Sequence, residues 1–267
     1  MRSLIIIVAF LVLAGEQARA EAFRCARSDG NRGPSLRWEI REVPWGVEPT
    51  LLRTVSGGRE RVLQTVDDAF AAWEGPACSD MAFRFVGADA RFVPGFNEQG
   101  ETRNAIALQQ DWLYDADAIA ITVSTFTTDG VLLDADIELN GASFDFVLVE
   151  DGCAEEQMDL GNVLTHEVGH LLGLAHPPQT PSNRATTMFA TSSPCETAKR
   201  SLSTGDVEGL CTIYPSSGQT QVCHGADDLG FEVVETEDGF GGCSNLGAGA
   251  GISTLGLALF LLLRRLV

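Results

Sequence analysis

The chain has 267 residues, 45% of them hydrophobic, which suffices for one buried core with appendages and excludes disorder throughout. Its 18 Lys and Arg stand against 37 Asp and Glu, a formal charge of −19, so it lacks the clustered positive surface on which a nucleic-acid partner depends. An acidic surface of this kind favours solubility and cation binding instead.

Residues 1–20 read as an export signal. Arg2 gives a positive flank, Leu4 to Ala14 an apolar run, and Ala18-Arg19-Ala20 a small-x-small cleavage site, so the mature chain is expected to begin at Glu21. Export makes disulfides permissible for the seven cysteines. Leu36 to Val43 has the pattern of a first strand, and Arg59 to Trp73 that of a helix with Val62, Leu63, Val66, Ala69, Phe70 and Trp73 on one face. Ala82–Val86 and Ala105–Gln109 read as short strands. Ala118–Thr125 and Val131–Leu139 form a further pair about Asp129-Gly130, a dipeptide suited to a tight turn. A helix is expected over Leu160–Gly173 with Asp159 as its cap, and a last one from Ser203 to Tyr214, ahead of Pro215. Residues 217–244 are rich in Gly, Ser, Asp and Glu and read as a linker. Within 245–267, Leu246–Leu263 is nearly all apolar and long enough for a membrane helix, with Arg264-Arg265 favouring the cytoplasmic side.

Chemistry concentrates in His166-Glu-Val-Gly-His170-Leu-Leu-Gly-Leu-Ala-His176. Residues four apart share a helix face, so His166 and His170 can offer two imidazole nitrogens to one metal. Gly173 permits the backbone turn that would bring His176 back as the third ligand. Three neutral imidazoles suit zinc with a fourth position left for water, whose pKa zinc lowers from about 15.7 to roughly 7. Glu167, beside the first ligand but at another angle, is placed to act as general base toward that water. Two histidines four apart also occur on polar helix surfaces with no metal, but the eleven-residue arrangement uses three of the chain's four histidines.

This segment resembles the metzincin signature of zinc proteases, and Thr186-Thr187-Met188-Phe189 looks like the family's Met-turn, whose methionine lies beneath the metal. Leu202-Ser-Thr-Gly-Asp206-Val-Glu-Gly209 with Ile213-Tyr214 is similar to the last helix of matrixins, and the resemblance covers roughly residues 36 to 215. It implies an α/β (α+β) catalytic domain over residues 21–216: a twisted mixed five-stranded sheet with three helices, and a zinc cleft between upper and lower subdomains. The lower one would carry His176 and Met188. Its implied activity is that of a zinc endopeptidase acting on protein or peptide substrates, as a monomer. The strand Val131–Leu139 is expected to be the edge to which a substrate adds as a further strand. Pro177 departs toward serralysins, whose glycine-rich calcium repeats are missing, and the histidines of a second matrixin zinc are missing too, so one zinc is expected. Two rivals remain: a surface-displayed zinc-containing binding or adhesion protein without turnover, against which Glu167 weighs, and an amidase of cell-wall peptides.

Asp134, Asp136 and Glu138 alternate with apolar residues as a strand with one solvated face would, and a comparable matrixin region contributes calcium ligands, so calcium is a second candidate ion. Arg24-Cys25 partly matches the matrixin cysteine switch, but without a propeptide before it a structural disulfide is expected for Cys25. Cys195 and Cys211, on either side of the start of the final helix, are the expected disulfide pair, with Cys25, Cys78, Cys153 and Cys223 unassigned. Gly241-Gly242-Cys243-Ser244, the apolar segment and the paired arginines resemble a bacterial C-terminal sorting signal of the type common in myxobacteria. The protein is therefore expected to be secreted or anchored at the cell surface, with membrane contact through the C-terminal segment unless that segment is cut.

Overall fold

The computed structural model describes residues 23–30, 33–97, 103–223 and, for the backbone, 244–249. The export signal, Gly241–Cys243 and the apolar residues after Gly249 lie outside the described residues. In chain order the elements are β1 (Arg24–Cys25), β2 (Glu42–Val47), α1 (Pro49–Thr54), α2 (Arg59–Glu74), β3 (Ala82–Ala88), β4 (Ala105–Gln109), β5 (Ala120–Phe126) and β6 (Leu132–Asn140). There follow β7 (Asp145–Val147), β8 (Gln157–Asp159), α3 (Leu160–Leu171), β9 (Leu174–Ala175), α4 (Thr204–Ile213) and β10 (Ser244–Gly249).

Five strands of the body form the expected mixed sheet in the order β5-β6-β4-β2-β3, and β10 adds to its β5 side. Neighbours run parallel except β5, which is antiparallel to β6. Parallel β2 and β3 need a crossover, and α1 with α2 supplies it. On α2 the buried positions Val62, Val66, Ala69, Phe70 and Trp73 recur at helical spacing, and Phe70 stacks on Trp45 of β2 with ring centroids 4.4 Å apart.

Several boundaries differ from the sequence-based expectation. The strand expected from Leu36 is β2, which begins at Glu42 and runs through Pro44, tolerated because β4 pairs with β2 only from Gly46 onward. Leu36 and Trp38 are core residues outside any strand. The strand expected at the sheet edge is interior: the five strands of the body end at β5 on one side and β3 on the other, and β6 lies between β4 and β5. Its acids face no solvent, Asp134, Asp136 and Glu138 being 5%, 3% and 8% exposed, which overturns the solvated-face expectation.

The disulfides are Cys25–Cys223, Cys78–Cys211 and Cys153–Cys195, so the expected Cys195–Cys211 pair does not form. Cys211 lies about 10 Å along α4 from its first residue, where it meets Cys78 beyond α2. Cys195, in the loop before α4, is held at β8 by its N–H to the Gln157 carbonyl (2.9 Å), beside Cys153. The Cys25 disulfide keeps the chain on the body beyond residue 216: Thr220 bonds the Trp38 carbonyl, Gln221 that of Ile213, and Cys223 is fully buried. Among the described residues no helix is long and apolar enough to cross a membrane. Leu246–Gly249, the start of the segment read as a membrane helix, is strand: two glycines in four residues disfavour a helix, and the β5 edge offers backbone partners.

Candidate metal centre

The helix that carries the motif is capped as expected. Asp159 Oδ1 accepts from Asn162 N at 2.7 Å, and its carboxylate also pairs with Arg200. All twelve residues of α3 are buried, so its few polar side chains each need a partner. Two carbonyls at its C-terminal end are held by side chains, Leu171 by Trp38 Nε1 (2.9 Å) and Leu172 by Tyr214 Oη (2.7 Å). Gly173 then turns the chain with φ +89°, and a Cβ there would lie 2.3 Å from the Leu36 carbonyl oxygen. Leu174 and Ala175 pair with β1, and His176 returns to face the helix.

The three imidazoles converge: His176 Nε2 lies 3.1 Å from His166 Nε2 and 3.0 Å from His170 Nε2. His166 Nδ1 donates to the Thr187 carbonyl (2.6 Å) and His170 Nδ1 to that of Leu174 (2.9 Å), because a carbonyl can only accept. Both Nε2 atoms therefore present lone pairs inward. His176 can supply one N–H at most, so at least one of these close approaches sets lone pair against lone pair, an arrangement that a cation relieves. Nitrogens bound tetrahedrally at 2.0–2.1 Å would lie about 3.3 Å apart, so the donor set fits zinc after small relaxation. Burial pushes all three imidazoles below their ordinary range, His170 to about 4, and Lys199 pushes the same way, leaving them neutral as metal ligands must be. Among the described residues this triad is the one group of three metal-ligating side chains brought together.

Glu167 is fully buried, and its Oε2 accepts from Thr122 Oγ1 of β5 at 2.7 Å. Met188 is fully buried against Gly169, where a Cβ would come 2.2 Å from its Sδ. The Thr187–Met188 backbone is held in turn by Asp206 of α4, which accepts from Thr187 N (2.7 Å) and Met188 N (3.1 Å) and shares a capping box with Ser203. Sequence reasoning placed the triad, Glu167 and Met188 together, and the structure does the same. It missed the supporting roles of Thr122 and Asp206. The hydroxyls of Thr122, Ser124 and Thr125 within the otherwise apolar β5 were a signal, as was Asp206 three residues after Ser203.

The β6 acids stand apart from the histidines. Both Glu138 oxygens are taken, by Gln109 Nε2 (2.7 Å) and Tyr114 Oη (3.0 Å), and Tyr114 is pushed up to about 12 by burial and by that carboxylate. Asp136 accepts from the N–H groups of Ala105 and Gly95, each at 2.6 Å, and lies with Asp134 in a small cavity bordered by Arg91, Asn97 and Arg103. Burial raises both carboxyls, and the Asp134 charge helps push Asp136 to about 8. Unfolded carboxyls release their protons near 3.9. The folded pair keeps one until about 8, so its stability contribution is complete below about pH 4 and declines as pH rises toward 8, by at most about 1.4 kcal/mol per unit. Tm measured from pH 5 to 8 is expected to fall in the wild type and to fall less in Asp134→Asn. Repeating the series in calcium tests the calcium expectation: an unchanged wild-type Tm assigns the pair to proton sharing, and a rise that Asp134→Asn abolishes assigns it to the cation.

The matrixin family (peptidase M10) matches residues 37–215, the greater part of the chain. Comparison with curated proteins gives no match. Among solved structures the chain is similar to one titled "GM1 bound form of the ECX AB5 holotoxin", with 14% identity, a TM-score of 0.43, and 72% of this chain and 88% of that one covered. The three disulfides among the described residues place the protein in an oxidising, extracellular setting. The family match and the converging histidines together show that the chain belongs to the matrixin family and is a zinc metalloprotease.

Proposed function

We propose that the protein is an exported endopeptidase in which Glu167 is the general base and His166, His170 and His176 hold a single zinc. The observation that carries this reading is the Glu167 carboxylate, buried beside the triad and oriented by Thr122. When bound, zinc supplies a Lewis acid that acidifies water and polarises a carbonyl. Glu167 accepts the proton of the water that attacks the peptide carbonyl and passes it to the nitrogen as the C–N bond breaks. Thr122 keeps one carboxylate oxygen fixed while the other exchanges the proton. The burial of α3 excludes bulk water from the base and ligands.

A peptide substrate would lie along β5, the outer strand of the body's sheet that carries Thr122 beside Glu167, and not along β6. Extended or unfolded segments are the substrates this geometry suits. The site is complete within one chain, which favours a monomer. Removal of residues 1–20 and retention or cutting of the C-terminal segment at the membrane complete the proposed life history, supported by the sequence patterns at both ends.

The test is proteolysis of denatured casein by the purified full chain. Cleavage is expected to disappear on chelation and to return with stoichiometric zinc but not with calcium alone. Zinc-loaded protein that leaves casein and a mixed peptide library intact, both as the full chain and with residues 244–267 removed, would shift the assignment to binding without turnover. Activity confined to cell-wall peptides would favour the amidase.

A further inference from the structure

From the backbone pairing of β10 we infer that the chain's own segment Ser244–Gly249 competes with peptide substrates for the β5 edge, so that the full chain cleaves well below its full rate until that segment is displaced or cut away. The inference rests on the proposed peptidase reading. One side of β5 is bonded to β6, which leaves one edge open, and β10 lies on it in parallel register from Ser244 opposite Ile121 to Gly249 opposite Phe126. In that register Asn245 stands opposite Thr122, the residue whose hydroxyl holds Glu167. The segment Ser-Asn-Leu-Gly-Ala-Gly contains no proline, so every position keeps a backbone donor for the ladder. A strand seated there uses the N–H and C=O groups that an incoming peptide's main chain would need.

Covalent attachment strengthens the competition. Residues 224–243, twenty positions, separate Ser244 from Cys223, which its disulfide fixes to the body. At about 3.3–3.6 Å per residue fully extended, that length reaches any point on the domain. A tethered ligand of this kind acts at an effective concentration in the millimolar range, above that of ordinary substrates.

The test pairs Leu246→Pro with Gly247→Pro in the full chain. Adjacent strand residues point their amides to opposite sides, so one of the two removed donors faces β5 whichever way the strand is turned. The double variant, at wild-type zinc content, is expected to show at least tenfold higher kcat/KM on a casein-derived peptide and faster hydrogen exchange in Ala120–Phe126. Equal kcat/KM in the two proteins overturns the proposal. The same pair of substitutions in a Glu167→Gln background reads peptide binding without turnover. At least tenfold tighter binding there supports the competition even if no form cleaves, which would count against the peptidase reading alone, and equal affinity overturns it.

Discussion

Replacing Glu167 by glutamine is expected to lower kcat/KM on a casein-derived peptide by about 10²–10⁴-fold with zinc content unchanged. The substitution keeps the side chain's length and one carbonyl oxygen, so Thr122 Oγ1, 2.7 Å from Oε2 in the wild type, still finds an acceptor and α3 stays packed. It removes only the group that can accept a proton. The loss corresponds to about 2.7–5.5 kcal/mol of transition-state stabilisation. Because none of the three metal-ligating nitrogens is touched, zinc measured by elemental analysis should match the wild type. Thr122→Val tests the orientation of the same carboxylate and should cost less, roughly tenfold, mainly in kcat. A Glu167→Gln protein that retains its zinc and cleaves within threefold of the wild type would exclude this residue as the base, and a binding protein with incidental hydrolysis would then be the better description.

Much of this centre was legible in the sequence because its determinants are local. The four-residue spacing of His166 and His170 needs only a helix, and Gly173 at φ +89° is the single residue that allows His176 to return. The strand Ala105–Gln109, the part of β3 from Ala82 to Val86 and the cap at Asp159 follow equally local patterns. What was not legible depends on partners far along the chain. Nothing within Val131–Leu139 reveals that β4 covers its outer side, so an interior strand with buried acids reads as an edge with a wet face. The disulfides of Cys195 and Cys211 are likewise set by where the loops near Cys153 and Cys78 meet the body, not by the distance between the two cysteines in sequence. The β10 strand joins residues that are more than a hundred positions apart, and an apolar run with small residues suits a membrane helix by composition alone.

Asp206→Ala is expected to lower both stability and zinc affinity, because Asp206 links the fold of α4 to the geometry of the triad. Its carboxylate is fully buried and accepts from Thr187 N, Met188 N and, at 2.8 Å, Ser203 N. Alanine would leave these donors without their charged acceptor, at a cost of about 3–5 kcal/mol, or roughly 10 °C in Tm for a domain of this size. The effect passes to the metal through Thr187: its backbone N–H is held by Asp206 while its carbonyl accepts from His166 Nδ1. Loosening that carbonyl frees the ring to rotate and weakens the preference for a bare Nε2, for which a 10–100-fold loss of zinc affinity is expected. Leu210→Ala separates the two effects: it opens a cavity on α4 at a comparable cost of about 2–5 kcal/mol while keeping the Asp206 carboxylate that holds Thr187 N. Competition with a zinc-binding dye, run below both transitions, should then weaken for Asp206→Ala alone. Equal zinc affinity in all three proteins would mean that Asp206 supports α4 and the Met188 loop but not the orientation of His166.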